Sequence, residues 1–444
     1  MNIGNQQLSL AKKSSDYIKE LSKDNIDTGV SPFSYFSCWA ESLGRCKILQ
    51  LQGNLKFLYL VKIIIKELWG SYNHSSYELI NNQKLKNFSK IIITSGYKKN
   101  FLKNGSIFDS YFKTNSREIK DTLWFVIYFD KKEPNKIDKN IILIKKSDNK
   151  INFKSFLKIF NSIIFDKSKL KQKLFSMNSN TFLGQTFLKL IDKYLMSKNL
   201  KSVIMPYEGQ PFQQMIFTFL HNQNKKVKTM GYVHDVNPIN LHYQFRKGSP
   251  LKLFVHSTSH IEYFSKYLNW PKKRLKLIPS LSFRKNKNPE IADGMILLPD
   301  VIYNQKKIIT LFEKFLNLSQ ERSIIKPQVR IHPRSFRIDT QLKLKSSLES
   351  LLNRYKRKFS RKKLKKKTII VIGESSAVVL GLEKGMNIIH ICFDPIFQSF
   401  SNKIWPSIIV NNMAENIFTY KLKVKGKALR LGNETKMLTK YFGI

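Results

Sequence analysis

The sequence predicts an α/β fold made of two halves that face each other across a cleft. Short, continuous apolar runs such as Ser202-Val203-Ile204-Met205 and Thr368-Ile369-Ile370-Val371-Ile372 alternate with helical patterns. Runs of that kind mark parallel strands buried on both faces by helices. The rhythm stops at the polar stretch Arg284-Lys285-Asn286-Lys287-Asn288-Pro289 and then restarts. A chain of 444 residues is also too long for one ordinary core and usually divides into domains.

From Ser14 to about Gly70 the pattern is mainly helical. Strands are predicted at Lys90 to Ser95, closed by Gly96, then at Thr122 to Phe129 and Asn140 to Ile144. A long helical stretch from about Lys154 to Lys198 breaks near Ser176. Strand Ser202 to Met205 runs into PYEGQ and a helix reaching Phe219. Strands Lys228 to Val233 and Leu251 to Val255, a helix at Ile261 to Leu268 and a strand at Leu275 to Ile278 complete the first domain, 1–290. The second, 291–444, has strands at Met295 to Leu298, Gln328 to Ile331, Thr368 to Ile372, Asn387 to Ile391 and Ser407 to Val410. Its helices are predicted at Gln305 to Leu318, Thr340 to Tyr355 and Ala377 to Glu383. This order fits two Rossmann-like halves, which bind ligands beyond the carboxyl ends of their strands.

Lys and Arg number 78 against 31 Asp and Glu, a formal charge of +47. That field favours anionic partners. The excess is spread along the whole chain, and a composition rich in Lys, Asn, Ile and Phe is what an A/T-biased genome yields. Solubility and general anion attraction therefore explain the charge more simply than a dedicated nucleic-acid surface, and no nucleic-acid fold signature is present. Apolar residues make up 42% of the chain, enough for real cores and against wholesale disorder. Cys38, Cys46 and Cys392 are too few and too scattered for a disulfide framework or a zinc site. The start lacks the apolar segment of a signal peptide. The best apolar run, Phe57 to Trp69, is broken by Lys62 and Lys66, so it falls short of a membrane span. The expected location is the cytoplasm. The basic run Arg357 to Lys367 reads as a solvated face, with peripheral contact to an anionic inner membrane surface as its functional alternative.

Three polar clusters sit at predicted strand ends. In Tyr207-Glu208-Gly209-Gln210 a carboxylate occupies a strand-to-helix turn, where it suits a general base. A charge on the first turn of the following helix explains it as well or better. In Arg330-Ile331-His332-Pro333-Arg334 imidazole and guanidinium donors gather at a strand end, where they suit a phosphate. A loop histidine among solvated arginines is the plain alternative. Gly373-Glu374-Ser375-Ser376 opens a helix, as an anion site or as ordinary capping. His234, in Gly231-Tyr232-Val233-His234-Asp235, ends another strand and should open toward the same cleft, to assist a base or to form a structural turn. The chain has no Gly-x-Gly-x-x-Gly fingerprint, no P-loop and no Asp-x-Asp pair for a nucleotide-bound cation.

Together these clusters resemble the D/E-D/E-G, HP and SS motifs of bacterial sialyltransferases of the two-domain GT-B type. The matching residues are Tyr207-Glu208-Gly209, His332-Pro333 and Ser375-Ser376. The segment from PYEGQPFQQ to GESSA is similar to surface-carbohydrate biosynthesis proteins, including capsule Kdo transferases and glycerol-phosphate polymerases. The resemblance covers roughly residues 90 to 412. It implies an inverting, metal-independent transfer of a sugar, sialic acid or Kdo-like, from a CMP-linked donor to a surface glycan or glycolipid. It implies no cofactor beyond that donor. Glu208 would be the base, with His234 beside it. His332 and the Ser375-Ser376 turn would bind the nucleotide phosphate, and the local reading of the two clusters adds the neighbouring Arg330, Pro333, Arg334 and Gly373 to that site. Two positions depart from the pattern. Tyr207 replaces the first acid, and Leu380 stands where many such transferases keep a ribose-binding Glu, with Glu383 three positions on. A glycerol-phosphate-type transferase of the same fold and a basic nucleic-acid-binding protein are the alternatives.

Overall fold

The computed structural model describes residues 2–23, 65, 69, 75–81, 87–150, 153–165, 179–223, 226–284, 291–300, 302, 304–320, 324–325, 327–332, 335, 338–360, 367–432 and 437–443. The fold is α/β, with two largely parallel sheets. Of the predicted linker Arg284 to Pro289 only Arg284 is described; the rest lies outside the described residues, as do Cys38, Cys46, most of the predicted helical region from Ser14 to Gly70 and most of the basic run.

The first sheet contains β1 (Ser75–Ile80), β2 (Lys90–Gly96), β5 (Thr122–Tyr128), β6 (Ile141–Lys150), β7 (Ser202–Pro206), β8 (Lys228–Tyr232), β9 (Lys252–Val255) and β10 (Leu275–Leu277). A small hairpin, β3 (Phe108–Asp109) and β4 (Thr114–Asn115), lies between β2 and β5. The spatial order is β1-β6-β5-β2-β7-β8-β9-β10. All neighbours are parallel except the edge pair β1 and β6. Alternation explains the continuous apolar runs. Ile91 and Ile93 join one core while Ile92 joins another, and Val203 and Met205 separate likewise from Ile204. Successive strand side chains point to opposite faces, and both faces here are covered.

The second sheet contains β11 (Met295–Leu297), β13 (Gln328–Arg330), β15 (Thr368–Ile372), β16 (Asn387–Ile391), β17 (Ile408–Ala414) and β18 (Ile417–Leu422), in the order β13-β11-β15-β16-β18-β17. Two-residue strands β12 (Ile324–Ile325) and β14 (Phe359–Ser360) pair beside it. The members from β13 to β16 are parallel, and β17 with β18 forms an antiparallel edge hairpin.

The helices follow from their periodicity. They are α1 (Ile3–Lys23), α2 (Phe153–Ile164), α3 (Ser179–Leu195), α4 (Pro211–Gln223), α5 (Thr258–Tyr267), α6 (Gln305–Leu318), α7 (Asp339–Arg354), α8 (Ala377–Glu383), α9 (Pro395–Gln398) and α10 (Met437–Phe442). In α6 the buried Ile308, Leu311, Phe312, Phe315 and Leu316 form one apolar stripe. Its start is capped by Asn304, whose side chain accepts from the Lys307 N–H at 3.0 Å. Among the described residues no helix is long and apolar enough to cross a membrane.

The two ends of the chain tie the halves together. In α1, Gln7 donates to the carbonyls of Ile396 (2.8 Å) and Ser399 (2.7 Å). The chain after β18 returns to the first sheet, where the Arg430 N–H donates to the His256 carbonyl at 2.7 Å. In α10, Phe442 stacks on Phe254 with ring centroids 4.1 Å apart. One apolar core runs across the seam, from Val233, Val236 and Trp270 to Leu380, Phe397 and Trp405.

Candidate functional site

Each sheet has one place where its strand order reverses. In the first sheet the chain moves outward from β2 through β5 to β6, then restarts at β7 on the other side of β2. In the second it moves from β11 to β13 and restarts at β15. Such reversals open a crevice beyond the carboxyl ends of the two diverging strands. Glu208 follows β7, Ser95 is the last residue but one of β2, Asp300 follows β11, and Gly373 to Ser376 follow β15. Polar clusters therefore follow the diverging strands at both reversals.

Sheet register places Glu208 next to His234. β7 and β8 are parallel neighbours with Pro206 opposite Tyr232, and Glu208 and His234 each lie two residues further on. Glu208 Oε1 is 3.3 Å from His234 Nε2. The other carboxylate oxygen accepts from Gln210 Nε2 at 3.2 Å. The turn carrying Glu208 is fixed by Gln213. Its side-chain oxygen accepts from the Glu208 and Gln210 N–H groups at 3.0 and 3.1 Å, and its amide donates to the Pro206 carbonyl at 2.6 Å. His234 is further held by the edge of Tyr111, with ring centroids 4.6 Å apart. The Tyr111 hydroxyl lies 3.0 Å from Ser95 Oγ. Burial raises the pKa of the neighbouring Asp235 carboxyl. The nearby His234 and His242, with a hydrogen bond from the Tyr243 hydroxyl (2.7 Å), outweigh that and hold it below the usual carboxylate range.

Gly209 closes this turn with φ +64°. A Cβ there would lie 2.2 Å from the His242 carbonyl oxygen, so the position requires glycine on two counts. Gly209→Ala is expected to lower stability by about 2 kcal/mol or more. The denaturant midpoint measures it, and an unshifted midpoint would contradict this account of the turn.

The loop after β8 reaches the second half. The Val236 N–H donates to Ser376 Oγ at 2.9 Å. Ser376 thus binds the opposite half of the molecule, and its side chain makes no cap on α8. The Ser375 hydroxyl accepts from the Ala377 N–H at 3.2 Å. Gly373 has φ +69°, and a Cβ there would meet Phe393 and Pro299 at 3.0 and 3.1 Å. Its carbonyl is held by buried His390, whose Nε2 lies 2.7 Å away while Nδ1 faces the Tyr420 hydroxyl at 3.0 Å. Burial pushes the His390 pKa down to about 4, so the ring is neutral.

His332 follows β13 and lies beside Asp300, with Nδ1 3.2 Å from Oδ1. The Asp300 turn is braced by Ser335, which donates to the Asp300 carbonyl at 3.0 Å, and by Gln341, which donates to the Pro299 and Asp300 carbonyls at 2.8 and 3.0 Å. Arg330 ends β13. Pro333 and Arg334 lie outside the described residues. Contacts therefore run from His332 through the Pro299-Asp300 turn and the Gly373–Ser376 loop to the loop carrying His234, and on to Glu208.

Glu383 is committed elsewhere. Its carboxylate accepts from the N–H groups of Gly426 (2.7 Å) and Leu429 (3.0 Å). It anchors the returning chain, and Leu380 is buried, so neither residue offers a carboxylate to a ribose. The residues that sequence reasoning missed are Asp300, Gln213, His390 and Tyr111. Asp300 carried a readable signal as the first ionisable residue after strand Met295–Leu297. Tyr111, within the long β2–β5 connection, carried none.

No protein-family model matches the chain, and a search of the curated proteins also finds no match. Among solved structures it is similar to the crystal structure of a glycosyltransferase from Rickettsia africae ESF-5. The identity is 13% and the TM-score 0.32, over 69% of this chain and 80% of that one.

Proposed function

We propose that this protein is an inverting glycosyltransferase that moves a sugar from a nucleotide donor to a glycan or glycolipid hydroxyl. The observation that carries the reading is the Glu208–His234 pair, 3.3 Å apart, at the carboxyl edge of one sheet, with His234 on the loop that touches the Ser376 loop of the other. Glu208 accepts the proton of the acceptor hydroxyl as its oxygen attacks the anomeric carbon. His234 and Gln210 orient the carboxylate. The bond between sugar and nucleotide phosphate breaks, and the negative charge that develops on the phosphate is met by His332, Arg330 and the Ser375-Ser376 turn. The first half is then the acceptor side and the second the donor side. The donor is CMP-linked, carrying sialic acid or a Kdo-like sugar, and the phosphate is stabilised by these side chains without a metal.

Thermal stabilisation by CMP-, CDP-, UDP- and GDP-linked compounds tests this. A ligand at a hundredfold excess over its Kd should raise Tm by about 3 °C for a chain of this length. CMP compounds are expected to give the largest shift. A stronger shift with a CDP-linked polyol would move the substrate to glycerol-phosphate-type transfer, and no shift with any of the four classes would remove the nucleotide-donor reading.

A further inference from the structure

The geometry points to a pyranose-stacking platform beside Glu208, formed by Tyr97 and Phe129, that binds the acceptor glycan one or two sugar units away from the reacting hydroxyl. This rests on the transferase reading and names the acceptor subsite within it.

Tyr97 is the first residue beyond β2 and Phe129 the first beyond β5. The two strands are parallel neighbours with Gly96 opposite Tyr128, and the Phe129 N–H donates to the Gly96 carbonyl at 3.2 Å. The two rings stand together with centroids 5.4 Å apart and planes 40° apart. They remain exposed, Tyr97 at 36% and Phe129 at 58%. Single exposed aromatics are ordinary, but a contiguous pair at the ligand-binding edge of a parallel sheet marks a contact surface. The pair is fixed from below. The Lys98 N–H donates to Asp130 Oδ2 at 2.6 Å, and the Tyr97 N–H donates to Asn100 Oδ1 at 2.9 Å. Lys99 Nζ lies 5.5 Å from the Tyr97 ring centroid.

Position decides what this surface binds. The order β5-β2-β7 is continuous, and Glu208 follows β7. Adjacent strands are about 4.8 Å apart, so Tyr97 and Phe129 stand one and two strand spacings from Glu208 along the same edge. Ser95, on β2 two residues before Tyr97, is linked to His234 through Tyr111. A pyranose has an apolar C–H face and a polar hydroxyl rim. That face suits an aromatic ring, which carries negative charge on its face, and the rim suits Lys99 and Asp130. The sugar offering its hydroxyl to Glu208 is then followed by units lying over these rings.

Saturation-transfer NMR tests the platform. The aromatic protons are saturated in the presence of millimolar methyl galactoside, methyl glucoside, methyl N-acetylglucosaminide and lactose. Transfer to at least one of these is expected in the wild type. It should fall about threefold to tenfold in Phe129→Ala and in Tyr97→Leu, which keeps apolar bulk without a ring. No transfer to any of the four in the wild type would overturn the proposal, as would equal transfer in both variants. Nucleotide stabilisation is read on the same preparations. If it is absent from the wild type the transferase reading fails separately, and if it is present in the variants they are folded.

Discussion

Glu208→Gln is expected to reduce transfer by about 10²- to 10⁴-fold, the usual contribution of a general base, while leaving fold and nucleotide binding in place. The substitution keeps the side chain's shape and one oxygen, which can still accept from Gln210 or from His234. It removes the carboxylate that would take the proton. Glu208 is partly exposed, and substitutions at such sites usually change stability by less than about 0.5 kcal/mol. The loss should therefore appear in kcat, with Tm and the nucleotide-induced shift unchanged. Turnover at the wild-type rate would sink the assignment of Glu208. A large fall in Tm would instead return Glu208 to the helix-charge role that its place before α4 first suggested. The two outcomes separate chemistry from local structure, which inspection of the turn alone does not.

The parallel interior of both sheets was legible because each strand is buried on both faces. Ile91 to Ile93 and Ile369 to Ile372 read as continuous apolar runs for that reason. The edges were not. β1 reads Ser-Ser-Tyr-Glu-Leu-Ile and β17 ends Asn-Asn-Met-Ala. Both are sheet edges of mixed polarity, and the exposed end of β17 lacks the apolar continuity that signals a strand. The last strand was predicted to stop at Val410, and its partner β18 was not anticipated. In the site, Glu208 and His234 were visible as residues at strand ends. Their contact depends on β7 and β8 being neighbours in register, a property of the sheet and not of either segment. The Ser376 contact to Val236 spans 140 residues and reads from the sequence only as a capping serine. Asp300 was readable as an ionisable residue just past a strand, but its partner was not, since His332 comes alongside only because β13 pairs with β11.

Acid should destabilise this protein before its ordinary exposed carboxylates are protonated. Burial pushes both His260 and His390 down to about 4, against an ordinary value of 6.5. His221 is lowered to about 4 and His242 also falls below its usual value, each chiefly by burial. A histidine whose folded pKa is lowered binds fewer protons folded than unfolded between the two values. Stability is therefore full above pH 6.5 and is lost as pH falls toward 4. At pH 5 the loss is roughly 2 kcal/mol for each of the His260 and His390 rings, or about 4 kcal/mol together, and His256, which is also fully buried and lowered well below its usual value by burial, adds to it. That is a large part of the 5–15 kcal/mol typical of a folded domain. The two histidines differ in a way that provides the control. His390 is hydrogen-bonded at both nitrogens, to Gly373 and Tyr420. His260 lies edge-on to Trp405 at 5.1 Å, and neither ring nitrogen has a hydrogen-bond partner among the described residues. His260→Phe should therefore keep the packing across the seam, remove one titration, and shrink the drop in urea midpoint between pH 7 and pH 5 by about half of the paired effect. An unchanged pH profile in that variant would show that His260 does not carry the acid sensitivity. A midpoint flat from pH 7 to pH 5 in the wild type would show that the buried histidines take up protons as readily folded as unfolded.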